Sequence, residues 1–152
     1  MIIWLASYPK SGNTWVRIFL SYMLSNEKTI NINRTKIYQF PRRFNFEGIS
    51  KNIDDGNEFV KNCNYAQSKI NLDNKYKIFK THNAFWKNGN YSFTDLENTI
   101  GCIYIVRDPR NIITSIKNYY DFKSYKEALE FLRDDKNIIG TLHKVRQGND
   151  LP

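Results

Sequence analysis

At 152 residues the chain has the length of a single domain, able to bury roughly 70% of its unfolded surface without disulfides. Hydrophobic residues at 41% and aromatics at 15% exclude a disordered chain, and two cysteines exclude a disulfide scaffold. A net charge of +8 favours an anionic partner, but the basic residues form no long run: "PRRF" (41–44) and "KVR" (144–146) stand apart, which argues against a nucleic-acid arm.

"IIWLAS" (2–7) is a short apolar run of the kind that forms a strand buried on both faces. A turn at Gly12 follows, and "NTWVRIFLSYMLS" (13–25) places Val16, Phe19, Leu20, Met23 and Leu24 at helical spacing behind a cap at Asn13 or Thr14. The lysine-bearing "SYPKSGNTW" (7–15) therefore joins a strand directly to a helix. Residues 26–56 carry turn signals and little pattern. Their aromatics Tyr38, Phe40, Phe44 and Phe46 are expected to pack core or loop, with the lining of an acceptor pocket as the alternative.

"NEFVKNCNYAQSKI" (57–70) reads as a helix and "YKIFKTH" (76–82) as a strand that delivers Lys80, Thr81 and His82 to its end. "TDLEN" (94–98) is a helical turn at most. "GCIYIVRD" (101–108) is the clearest strand and should bury Cys102 as a small apolar side chain. Asp108 can cap, and Pro109 can open, the helix "PRNIITSIKNYYDF" (109–122); "SYKEALEFLRDD" (124–135) is a further amphipathic helix. Beyond it the pattern fades, and His143 has no supporting context.

Strands alternating with helices predict an α/β fold with a parallel sheet, whose ligands gather at the carboxyl ends of the strands. Those ends carry Tyr8–Trp15, Lys80–His82 and Arg107–Asp108. The turn before a helix offers free N–H groups at the positive end of the helix dipole, to which Lys10 adds a charge and Ser11, Asn13 and Thr14 add donors. The lysine precedes Gly12, whereas a Walker loop sets it after the second glycine, so this is not a standard ATP loop. Arg107 with Ser115 makes a second candidate anion site, the plain alternative being a rim salt bridge. His82 is a candidate base with Lys80 two residues earlier on the same strand face, the plain alternative being a hydrogen-bonded loop histidine.

"YPKSGNTW", "KTH" and "YIVRDPRNIITSIKNYY", in that order and context over residues 2 to about 122, resemble the cytosolic-type sulfotransferases that use 3′-phosphoadenosine 5′-phosphosulfate. The resemblance implies a P-loop-like nucleotide-binding architecture. It also implies that Lys10, Ser11, Gly12, Asn13 and Thr14 wrap the 5′-phosphosulfate, that Trp15 stacks near the adenine, and that Arg107 and Ser115 hold the 3′-phosphate. His82 would take the acceptor's proton, with Lys10 and Lys80 stabilising charge on the leaving phosphate and the transferring sulfonyl group. The cosubstrate is then the phosphosulfate, no metal is needed, and the acceptor is a small molecule or carbohydrate bearing a hydroxyl or amine.

Two positions depart from the commoner family pattern: Asp108 stands for an asparagine and Asn13 for a threonine. The later Arg-Lys-Gly segment of the family has no counterpart, so the chain is expected to be the N-terminal part of the family domain. No nucleic-acid or membrane partner is expected. The short apolar N-terminus lacks a preceding lysine, no 18-residue apolar run occurs, and the cysteine usage fits a reducing cytoplasm. A nucleotide-dependent phosphotransferase is the other enzymatic reading, and a noncatalytic module binding a nucleotide or polyanion is the reading from a different class.

Overall fold

A computed structural model describes residues 1–25 and 35–134. The predicted helical end at 135, His143 and the patternless tail lie outside these residues, as do 26–34.

The chain runs β1 (Ile2–Ser7), α1 (Asn13–Met23), β2 (Tyr38–Gln39), α2 (Gly56–Ile70), β3 (Lys77–Thr81), β4 (Lys87–Asn88), β5 (Tyr91–Ser92), β6 (Thr99–Ile105), α3 (Pro109–Tyr120) and α4 (Tyr125–Arg133). Four strands form a parallel sheet in the order β2-β3-β1-β6, flanked by helices, the predicted α/β class. β4 and β5 make a separate antiparallel hairpin closed by the two-residue turn Gly89–Asn90, with Gly89 at φ 58°.

Alternation along β1 sorts its side chains between two faces. Ile2 and Trp4 join Phe40, Phe46, Cys63, Ala66, Phe79 and Phe93 in the main core, against α2. Trp4 is ringed by Phe40, Phe79 and Phe93 with centroids 4.9–6.3 Å apart. At the edge of that core a buried polar chain is fully paired. Gln67 Nε2 donates to the Phe93 carbonyl, Thr94 Oγ1 donates to Gln67 Oε1, and Trp4 Nε1 donates to Thr99 Oγ1 at 2.8 Å. The aromatic residues of 38–46 divide: Phe40 and Phe46 are core, as expected, while Tyr38 and Phe44 are exposed.

A second cluster, Ile112, Ile116 and Ala128 with Tyr8, Phe122 and Phe131, locks α3 to α4. Asp108 and Pro109 do what the sequence predicts. The Asp108 carboxylate accepts from the Arg110 N–H at 2.9 Å, and proline fills the first turn. Ser124 caps α4 in the same way, accepting from the Glu127 N–H.

Three expectations fail. Neither Asn13 nor Thr14 caps α1: Gly12 does, at φ 96°, a left-handed conformation open to glycine, and the Asn13 side chain turns back to β1. Cys102 is exposed rather than buried, because β6 is the sheet edge among the described residues and much of its apolar run is uncovered. Nor does α1 bury its apolar stripe. Phe19 is 58% and Met23 63% exposed, and Leu24 beyond the helix is also exposed, whereas the buried residues of α1 are Asn13 and Ser21. No described helix is long and apolar enough to cross a membrane.

Candidate active site

The carboxyl ends of β1, β3 and β6 are adjacent in the sheet, and specific bonds draw their loops together. The His82 ring nitrogen Nδ1 lies 2.9 Å from the Ser7 carbonyl oxygen and 3.2 Å from Ser7 Oγ. A carbonyl only accepts, so Nδ1 carries the proton and Nε2 keeps the lone pair. Ser7 Oγ also accepts from Asn13 Nδ2 at 3.1 Å, and the same amide donates to the Leu5 carbonyl at 3.1 Å. The ends of β3 and β1 and the start of α1 are thereby one hydrogen-bonded unit. On the other side of β1, an Arg107 Nη donates to the Lys10 carbonyl at 3.0 Å, which ties the turn to the end of β6.

The turn itself is a cradle. Lys10 (φ 68°) and Gly12 (φ 96°) both adopt left-handed backbone, and the Ser11 N–H bonds the Tyr8 carbonyl at 3.3 Å. The first N–H groups of α1, at Asn13 and Thr14, have no intrahelical carbonyl to bond. Ser11 is only 6% exposed, yet its hydroxyl has no partner among the described residues. A buried hydroxyl left without a partner costs free energy, and an oxyanion at the helix start would satisfy it. The residues present therefore fit an oxyanion such as a phosphate or sulfonate. Lys10 Nζ sits over the Tyr119 ring, 3.8 Å from its centroid, so its charge rests beside α3. Trp15 is 79% exposed on the first turn of α1.

Lys80 and His82 are both partly buried. Burial, and then the charge of Lys80, hold the His82 imidazole down at about 4, against the opposing pull of its bond to Ser7. Lys80 is itself lowered to about 8 by burial and then by the charges of Arg17, Arg42 and Lys10. Its ammonium finds Gln39 Oε1 at 3.4 Å, the residue opposite it in β2. Arg107 is exposed, and Ser115 lies half-buried on α3 two turns from its start. Asp108 pairs with Arg110 at 2.7 Å, leaving Arg107 without a carboxylate partner among the described residues.

The lowered His82 pKa has a consequence for stability. Neutral His82 is the form the fold holds, so its contribution is complete above its unfolded pKa of 6.5 and is lost as pH falls through about 4. That loss is of order 3 kcal/mol. Urea unfolding of the wild type and His82→Gln from pH 7 to pH 4 should show a steeper decline in the wild type.

Ser7, Arg17, Gln39 and Arg42 border this site and were not among the sequence candidates. The signal for Ser7 was present: it is the first polar residue of an otherwise apolar strand. Arg42 belonged to the "PRRF" pair read only for charge.

The sulfotransferase domain model matches residues 2–146. The chain belongs to the sulfotransferase domain family. Comparison with curated proteins and with solved structures gives no match. The parallel sheet flanked by helices agrees with the sulfotransferase domain fold, and the chemistry of the family is sulfonate transfer.

Proposed function

We propose that this sulfotransferase domain transfers a sulfonate from 3′-phosphoadenosine 5′-phosphosulfate to a hydroxyl or amine acceptor, with His82 as base. The observation that supports the reading is the Nδ1 bond of His82 to the Ser7 carbonyl, which leaves Nε2 free of its proton at the end of β1, the strand that runs into the loop of Lys10 to Thr14. Lys10, Ser11, Gly12, Asn13 and Thr14 would bind the 5′ end of the donor, Trp15 would stack on the adenine, and Arg107 and Ser115 would take the 3′-phosphate.

The sheet order supports this division. Arg107 follows β6 at one edge and Gln39 lies in β2 at the other, with β1 and β3 between them. A donor lying from the loop toward Arg107 leaves the Lys80 side to the acceptor. In the reaction the acceptor oxygen gives its proton to His82 Nε2 and forms the new bond to sulfur. The sulfur–oxygen bond to the phosphate breaks, and the leaving bisphosphate keeps the electron pair. Lys10 and Lys80 stabilise the charge that develops on the oxygens, so positioning and fixed cations carry the catalysis.

Calorimetry tests the donor assignment. The expected result is magnesium-independent binding of 3′,5′-bisphosphoadenosine, weakened about tenfold or more by Arg107→Ala through loss of a charge-assisted contact. Preference for ATP with magnesium would favour the phosphotransferase reading instead.

A further inference from the structure

Asn13, Arg17 and Ser21 follow one another at one-turn spacing along α1. Asn13 and Ser21 are buried, while Phe19 and Met23 face outward, so this helix turns its polar stripe inward. Buried polar atoms need partners. Asn13 Nδ2 has Leu5 and Ser7, but Asn13 Oδ1, Arg17 Nε and Ser21 Oγ, the last on a residue 6% exposed, have none among the described residues.

Other cations stand on the neighbouring strands. Lys80 projects from β3, and Arg42 follows β2, whose Gln39 is the partner of the Lys80 ammonium. The Phe40 N–H bonds the Lys80 carbonyl at 2.9 Å, which holds the segment leading to Arg42 along the end of β3; consistently, the charge of Arg42 lowers Arg17, and both lower Lys80, in each case after burial. The ion pairs among the described residues are Arg43–Asp54, Lys77–Asp73 and Arg110–Asp108, so none of the three cations has a carboxylate partner there. The adjacent Arg43, by contrast, is paired at 2.7 Å.

We propose that Arg17 and Arg42, with the Ser21 hydroxyl beside them, bind an anionic group carried by the acceptor, so that the acceptor class is hydroxylated acids. The proposal rests on the sulfonate-transfer reading and names its acceptor. The 3′-phosphate does not compete for this place, because its residues stand at the far side of β1. An anion here would offset the repulsion among Arg17, Arg42 and Lys80, satisfy Ser21, and return basicity to His82.

Matched probes decide the matter: 4-hydroxyphenylacetate against 4-hydroxyphenylacetamide, and methyl glucuronide against methyl glucoside. Each is titrated calorimetrically into bisphosphate-saturated protein and assayed with labelled phosphosulfate. In at least one pair the acid is expected to be favoured about tenfold or more in Kd and in kcat/KM. Arg17→Gln and Arg42→Gln should each shrink that preference while bisphosphate affinity stays unchanged. Which pair responds tells an aryl from a sugar acid. Equal binding of acid and neutral partner in both pairs, or a preference that survives both substitutions, overturns the proposal even if bisphosphate binds. An Arg17- and Arg42-dependent preference in protein that fails to bind bisphosphate upholds the anion site and removes the sulfonate-transfer reading.

Discussion

His82→Ala is expected to lower sulfonate transfer by about 10²- to 10⁴-fold, the range for loss of a positioned general base. Affinity for 3′,5′-bisphosphoadenosine should stay near the wild-type value, since His82 meets the β1 end through Ser7 and not through the loop N–H groups. The pH profile separates a base from a structural histidine. Transfer needs His82 neutral and Lys80 charged, so in the wild type kcat/KM should hold level between limbs near 4 and 8 and fall outside them. The residual activity of His82→Ala should lack the acid limb. An unchanged rate in folded His82→Ala, or an acid limb that persists, would remove His82 from the role of base.

Lys80→Met should move activity and stability in opposite directions. Methionine keeps the length and the apolar stem but not the charge. A lysine lowered from 10.5 to about 8 binds its proton less well when folded. The resulting cost to folding is absent above 10.5, grows as pH falls, and is complete below about 8. Removing the charge should therefore raise the unfolding free energy at pH 7 by up to about 3 kcal/mol, with little gain near pH 10.5. Transfer should fall by about 10²- to 10³-fold through loss of a cation aimed at the developing charge. Such an exchange of stability for function is common where like charges are held ready for an anionic ligand. Urea unfolding at pH 7 and pH 10.5, beside the transfer assay, checks both halves. A variant less stable at pH 7 with transfer intact would contradict this account of Lys80.

Much of the fold was legible because the signals were local. The apolar runs of β1 and β6, the alternation of β3 and the Asp108–Pro109 start of α3 each need only a few neighbouring residues. β2 and the β4–β5 hairpin are two-residue strands, too short to carry an alternating pattern. Helix α1 misled for a different reason. Its apolar stripe has the spacing of a core face, but the sheet end it meets is lined by Ser7 and Lys80, so Asn13, Arg17 and Ser21 turn inward. Cys102 misled because an apolar run says strand without saying whether the strand lies at an edge.

The site divides along the same line. Lys10–Thr14, His82 and Arg107 stand at strand ends that any parallel sheet gathers on one rim, and the bonds of His82 to Ser7 and of Arg107 to Lys10 bring them together. Arg17, Gln39 and Arg42 required the strand order. β2 lies beside β3, and only that adjacency sets Gln39 against Lys80 and runs the segment leading to Arg42 along the end of β3.

Incubating the protein with sulfur-labelled 3′-phosphoadenosine 5′-phosphosulfate and a panel of hydroxyl and amine acceptors is the most direct test. The account predicts label on an acceptor, equimolar 3′,5′-bisphosphoadenosine, and formation of both slowed by about 10²- to 10⁴-fold in His82→Ala. Label left on the donor throughout the panel, with phosphate passed from ATP to the same acceptors in the presence of magnesium, would contradict it.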